Sequence, residues 1–244
     1  MRLGVFSDVH SNLEALHTVL TYLSKQKVGQ YLFIGDLVGY GANPNECVEL
    51  IKELKCISIA GNHDYGVIGK TEISNFNDAA ISAVLWTKKE VNKVTKDFLK
   101  ELPLTNKFKN FFLVHSTPKQ PELWRYIFTL IQAQDEFADF EEKICFIGHS
   151  HSPSIIEKND KKNKCILINE SKIKVKGSGY RYLINVGSVG QPRDNDRRAC
   201  VVIFDTETNI IEIKRLEYNL EQTQAKILNA GLPPILAYRL AEGK

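Results

Sequence analysis

The sequence predicts an α/β fold in which a single domain, residues 1–244, holds two packed β-sheets. Two observations carry this expectation. Over the first sixty residues, short apolar runs alternate with amphipathic helical segments, and parallel strands need such crossover helices. From about Lys107 the pattern becomes strand after strand, and no linker separates the two halves.

Each element has a local reason. Arg2 to Ser7 (RLGVFS) is a short apolar strand, after which Ser11 or Asn12 caps a helix with Leu13, Leu16, Leu20 and Leu23 on one face. A buried strand, YLFI at 31–34, comes next. Asn43 and Pro44 then supply an N-cap and a first-turn proline for a helix turning Val48, Ile51 and Leu54 inward. The third strand is Ile57 to Ala60. Two helices are expected after it, the second with Thr87 and Glu90 at capping-box spacing ahead of Val91, Val94 and Leu99, and with Pro103 ending it. The later strands are FFLVH, ICFIG, SIIEK, KCILI, KIKV, RYLINV, ACVVIF and IIEIKRL. The basic run Lys158 to Lys164 reads as a solvated hairpin tip, and residues 219–244 as a helical tail on a core of residues 1–218.

Composition excludes several classes. Apolar residues at 43% and charged residues at 25% are ordinary for a globular chain. The formal charge of +3 is small and dispersed, which argues against a nucleic-acid or membrane-surface protein. Five cysteines (47, 56, 145, 165 and 200) are odd in number, without a CxxC pair, and read as reduced core thiols. The start resembles no signal peptide, and no apolar run reaches the ~18 residues of a membrane span. A cytoplasmic location is expected.

The chemistry concentrates at strand ends. Five of the six histidines lie in or beside Asp8-Val9-His10, Gly35-Asp36, Gly61-Asn62-His63-Asp64, His115 and Gly148-His149-Ser150-His151; only His17 stands apart, in a helix. On an extended segment residues i and i+2 share a face, so Asp8 with His10, and His149 with His151, can each offer two donors to one metal. Asp36, Asn62 and His115 each follow a short strand, and α/β sheets build their sites at such carboxyl ends. Alone, His115 would read as a hydrogen-bonded core histidine; together the elements point to one cleft. A mixed oxygen and nitrogen set suits Mn, Fe, Zn or Ni better than Ca, and the lack of cysteine argues against a closed structural zinc site. Seven candidate ligands, Asp8, His10, Asp36, Asn62, His115, His149 and His151, exceed what one open-sited ion takes. Two divalent metal ions sharing a carboxylate fit better.

The order DVH, GDLVGYG, GNHD, VHS and GHSH resembles the calcineurin-like metallophosphoesterase superfamily, from Met1 to about Asp205, and in particular its small prokaryotic phosphoesterases. The resemblance implies a four-layer α-β-β-α sandwich of two mixed β-sheets flanked by helices. It also implies a binuclear hydrolase, with Asp8, His10, Asp36 and His151 on the first metal and Asp36, Asn62, His115 and His149 on the second. His63 takes the place of the histidine that contacts the phosphoryl group and serves the leaving oxygen. If Asn62 is a ligand on an extended chain, its neighbour His63 projects elsewhere and stays free for acid work. One departure stands out: Gly39 and Tyr40 occupy the positions where the superfamily's protein serine/threonine phosphatases carry an aspartate and an arginine. This puts that activity in doubt and leaves the partner of His63 open, with Asp64 as one option.

Substrate contacts are expected from Trp124 and Arg125, just past His115, and from Arg193 and Arg197 in the segment NVGSVGQPRDNDRR, with Asn12 and Tyr40 lining the pocket. Aromatic and guanidinium groups there suit a nucleotide such as diadenosine tetraphosphate. The alternative is a cyclic nucleotide or other small phosphodiester. A third reading is a non-enzymatic scaffold, as in a retromer subunit of this fold that lost part of its metal site, although no ligand position is missing here. A nuclease would want a wider basic track.

Overall fold

The computed structural model describes all 244 residues, Met1–Lys244. Its N-terminal part is the expected parallel unit: β1 (Arg2–Phe6), α1 (Leu13–Lys25), β2 (Gln30–Phe33), α2 (Pro44–Glu53) and β3 (Ile57–Ser58). Asn12 caps α1, its side chain accepting from the Ala15 N–H at 3.1 Å, and Ala15, Leu16, Val19 and Leu23 form the buried stripe. Pro44 opens α2 as expected, but the Asn43 side chain bonds Glu46 instead of the free N–H groups.

Three helices follow, not two: α3 (Asn62–Ile68), α4 (Asp78–Glu90) and α5 (Lys93–Glu101). The capping-box reading of Thr87 and Glu90 is corrected. Both residues lie inside α4, and Asn92 caps α5 by accepting from the Thr95 N–H at 2.9 Å. Val94 consequently faces solvent, 52% exposed, while Leu99 is buried.

The second half supplies β4 (Thr105–Phe108), β5 (Phe111–Val114), α6 (Leu130–Glu136), β6 (Ile144–Ile147), β7 (Ser154–Asn159), β8 (Lys164–Ile168), β9 (Lys172–Lys174), β10 (Tyr180–Asn185), β11 (Ala199–Asp205) and β12 (Ile210–Leu216). Helices α7 (Leu220–Asn229) and α8 (Ile235–Glu242) close the chain. Strand β4 and helix α6 were not foreseen. The Lys158–Lys164 run does turn between antiparallel β7 and β8.

The strands form two mixed six-stranded sheets, ordered β3-β2-β1-β11-β12-β9 and β4-β5-β6-β10-β7-β8. The halves of the sequence are therefore not the halves of the molecule, since β9, β11 and β12 return to the first sheet, with β1 antiparallel to β11. Between the sheets lies an apolar layer that includes Val5, Leu32 and Ile34 from one sheet and Leu113, Phe146 and Ile184 from the other. Full burial of each such side chain contributes ~1.5–3 kcal/mol. A second core joins the first sheet to α1, α2 and α5, and a third packs α6 on the outer face of the second sheet. These are the four expected layers, with a thin one over the second sheet. No helix is long and apolar enough to cross a membrane.

Candidate metal centre

The carboxyl ends of β1, β2, β5 and β6 meet at one edge of the sandwich, where main-chain bonds lock their loops together. Asp8 N–H donates to Gly35 O at 3.0 Å, His10 N–H to Asp36 O at 3.1 Å, and Gly148 N–H to His115 O at 2.9 Å. Gly148 must be glycine for this approach, because a Cβ there would strike the side chains of Ser7 and Asp8.

Contrary to the expectation from their spacing, the i, i+2 pairs Asp8 with His10 and His149 with His151 do not lie on extended backbone. Asp8, His10, Asp36, His149 and His151 all have positive φ, between 48° and 66°, so each pair is brought together by left-handed turns and not by strand geometry. Backbone of this kind costs energy and collects at functional sites. Asn62 and His63 likewise sit in the first turn of α3, where neighbours diverge by helical rotation.

The side chains converge in two overlapping groups. Ligand atoms of Asp8, His10, Asp36 and His151 all lie within 4.8 Å of one another, and so do those of Asp36, His115 and His149. Asp36 is common to both, and every member is buried. The His115 Nε2 lies 3.2 Å from Asp36 Oδ2, and the His151 Nε2 lies 3.1 Å from Asp8 Oδ1. The Asn62 Oδ1 is buried without a hydrogen-bond partner, as are Asp8 Oδ1 and His115 Nε2. Such atoms are costly unless something fills the space between them, and a cation fits this donor set.

Main-chain carbonyls face the other ring nitrogens. The Nδ1 atoms of His10, His115 and His151 lie 3.1, 2.7 and 2.5 Å from the carbonyls of Val38, Ile34 and Gln191. A carbonyl only accepts, so each Nδ1 carries a proton and each Nε2 is the atom aimed inward, where it would give its lone pair to a cation. Burial lowers the His115 imidazole, but Asp36 and Asp8 together lift it to about 9, so a bound cation there displaces a proton from its Nε2. His149 is reversed: its Nε2 donates to Trp124 O at 2.8 Å, which leaves Nδ1 for the cluster.

The electrostatics follow from burial and crowding. Burial raises the Asp8 carboxyl more than any single neighbour lowers it, but the charge and hydrogen bond of His151 together with the charge of His115 hold the group below the usual range. Burial works the same way on Asp36, and His115 and His63 hold it down. Burial also lowers His149 to about 3 and His63 to about 4, so both imidazoles are neutral.

His63 packs between Tyr40, with ring centroids 4.4 Å apart, and Phe76, at 5.1 Å, both rings tilted against its own. Its Nδ1 has no partner, and a Cβ on Gly39 would come within 2.6 Å of that atom. Asp64 does not orient it, because both Asp64 oxygens are taken by the N–H groups of Asp36, Leu37, Val38 and Gly61. Aromatic packing holds the ring in place of a carboxylate.

A cleft of about 670 Å³ opens over His63, Asn62 and His149. Of the expected contacts, Tyr40, Trp124 and Arg193 line it. Arg193 bonds Gln191 at 2.8 Å, and its guanidinium lies 5.8 Å from the Tyr40 ring centroid. Trp124 is fixed, its indole N–H donating to Thr71 and its edge against Tyr65. The remaining three lie elsewhere. Arg125 is exposed and acts on Glu136, Arg197 pairs loosely with Glu217, and Asn12 is buried as the α1 cap, bonded to Gly190 and Thr223. Residues the sequence did not single out complete the walls: Lys70, Glu72, Asn75, Phe76, Asn77 and Glu122. No motif marks them, because all but the half-buried Phe76 are surface polar residues, brought in by the loops that follow α3 and β5.

Residues 1–209 match the profile of the calcineurin-like phosphoesterase superfamily domain. An uncharacterized protein of Methanocaldococcus jannaschii is 43% identical over 99% of this chain and 98% of its own length. A solved metallophosphoesterase from Sphaerobacter thermophilus superposes with a TM-score of 0.87 at 38% identity, covering 100% of this chain and 99% of that one. A hypothetical protein of Pyrococcus horikoshii OT3 shares the fold, with a TM-score of 0.81 at 17% identity over 100% of this chain and 98% of that one.

Proposed function

Because this chain belongs to the calcineurin-like phosphoesterase superfamily, we propose that it hydrolyses a small phosphodiester with the help of two divalent cations. The observation that carries this is the pair of ligand groups sharing Asp36, each imidazole turned by its carbonyl partner to offer a lone pair inward. Asp8, His10, Asp36 and His151 would hold one cation, and Asp36, Asn62, His115 and His149 the other. Two such cations supply positive charge to the phosphoryl oxygens and bring the pKa of water between them toward neutrality.

The chain's own residues supply the rest. His63, wedged between Tyr40 and Phe76, stands at the cleft floor, where its neutral imidazole can donate a hydrogen bond that orients the leaving oxygen, and can deliver a proton to it only after taking one up as charge builds on the bound phosphoryl group. Arg193 has no carboxylate partner and packs on Tyr40, so its charge is free for a phosphoryl oxygen. It brings a guanidinium to the tyrosine that stands where protein phosphatases of the superfamily carry an arginine.

The cleft favours a diester over the dinucleoside tetraphosphate. Only one of the three anticipated arginines lines it, and the charges of Arg193 and Lys70 are matched by those of Glu72 and Glu122, so the cleft lacks the excess of positive charge that a long polyphosphate wants. The aromatic platform is also occupied, since Tyr126 is stacked between His149 at 4.0 Å and Phe128 at 5.2 Å. Thr71, Asn75, Asn77 and the two glutamates suit a leaving alcohol rich in hydroxyl or amino groups, a nucleoside among them. The test is product chromatography on protein reconstituted with Mn, Fe, Zn or Ni, against cyclic nucleotides, an artificial phosphodiester and diadenosine tetraphosphate in parallel. Preferential cleavage of the diesters is expected. A strong preference for the tetraphosphate would overturn the substrate assignment, and no turnover with any metal would overturn the hydrolase reading.

A further inference from the structure

At the pole opposite the ligand cluster, where β5 and β6 begin, a second groove of about 720 Å³ opens between the two sheets. Four lysines reach it from three separate segments: Lys109 in the β4–β5 turn, Lys143 ahead of β6, and Lys174 and Lys176 at and beyond the end of β9. No carboxylate lines it. In a chain with 32 basic and 29 acidic residues, that is a local departure and not a reflection of overall charge.

The ammonium groups are poorly neutralised and well positioned. Only Lys176 has a carboxylate partner, Glu157 at 2.6 Å. Lys143 donates to the carbonyls of Gly177 and Tyr180, and burial depresses its pKa. The Nζ atoms of Lys109, Lys143 and Lys176 lie 5.5, 5.8 and 4.8 Å from the ring centroids of Phe108, Tyr182 and Tyr180, contacts that hold the side chains in place. Phe111, Ile144 and Phe204 form an apolar floor, and Ser178, Thr206 and Asn209 add neutral hydrogen-bonding groups.

We infer that this groove is a second ligand site, taking a polyanionic small molecule of nucleotide size whose phosphates meet the lysines and whose apolar end meets the phenylalanine floor. Its volume lies within the ~300–1,000 Å³ of small-molecule sites. Three ammoniums without carboxylate partners favour a di- or triphosphate over a single charge, and the affinity falls with added salt.

Residue-resolved titration of the full-length, metal-loaded protein tests this and separates the groove from the catalytic cleft. Backbone amide resonances of Asn110, Gly177 and Ser178 are followed by NMR as ADP, inorganic pyrophosphate or adenosine is added. ADP and pyrophosphate are expected to shift these amides saturably, and adenosine to leave them in place. In Lys143→Gln/Lys174→Gln the dissociation constant should rise about tenfold or more. Lys174→Gln alone, at an exposed strand end, should give a smaller rise and serves if the double variant does not fold. Amides that stay unmoved by both anions, or shifts of equal size and affinity in the variants, overturn the proposal.

Discussion

The Asp64 carboxylate accepts four main-chain N–H groups and so fixes the turn after β2 against the start of α3. It touches no candidate metal atom, yet it sets where Asp36 and Asn62 stand. Asp64→Asn keeps the shape but turns an NH₂ toward N–H donors, each buried clash or orphan costing ~1–3 kcal/mol. The expected result is a loss of about 10- to 100-fold in metal affinity by chelator competition, in line with the usual effect of residues behind metal ligands. His63→Ala separates another pair of roles: metal content should be retained while turnover falls about 10²- to 10⁴-fold, the range of general acid–base contributions. Asp36→Ala should lose metal as well as turnover. If His63→Ala keeps full activity, the assignment of His63 fails. Ligand types and order were readable because few other functions put Asp and His at five strand ends. The left-handed backbone beneath them was not readable, since Asp and His tolerate positive φ without advertising it as glycine does. Nor could spacing say that Arg125 and Arg197 would not line the cleft.

At the scale of elements, the loop bearing Arg193 is held on two sides. Asn195 N–H donates to Gly243 O past the end of α8, and Asp196 takes three bonds from Arg198, two from the guanidinium at 2.9 and 2.7 Å and one from the main-chain N–H at 3.1 Å, with Arg215 of β12 beyond. Those Arg198 bonds, opposed by partial burial, hold Asp196 down at about 2 against an ordinary 3.8. A carboxyl depressed in the folded state contributes stability above its unfolded pKa and loses it as pH falls toward the folded one. Asp196→Asn should therefore lower the Tm at neutral pH and converge with the parent as pH falls from about 4 to about 2. A constant gap across that window would refute the link. The elements themselves were legible wherever period and punctuation agreed, as in α1 or β11. They were misread where two signals competed: Thr87 and Glu90 mimic a cap inside α4, and the true cap, Asn92, lies only two residues beyond that helix. Helix α6, with seven residues, was too short to show a period.

For the molecule as a whole, the ligand cluster joins the two sheets. Asp8, His10, Asp36 and Asn62 follow strands of the first, and His115, His149 and His151 strands of the second. Bound cations thus cross-link two layers otherwise held by the apolar seam. Chelation should lower the Tm; at a free metal concentration a thousand times the dissociation constant the linkage is about 4 kcal/mol, or roughly 10 °C for a chain of this size. Calorimetry with and without chelator measures it, and an unchanged Tm would argue against metal in the cluster. The return of β11 to pair with β1, Arg2 opposite Asp205, carries a different consequence, one of timing during synthesis. When the ribosome has released the first 150 residues, every candidate ligand but His151 is outside, yet β1 lacks its antiparallel neighbour and β6 lacks β10 on its far side. The N-terminal half must wait, partly unpaired, for residues made last, so folding is expected to be slow, post-translational and dominated by closure of a loop of about two hundred residues.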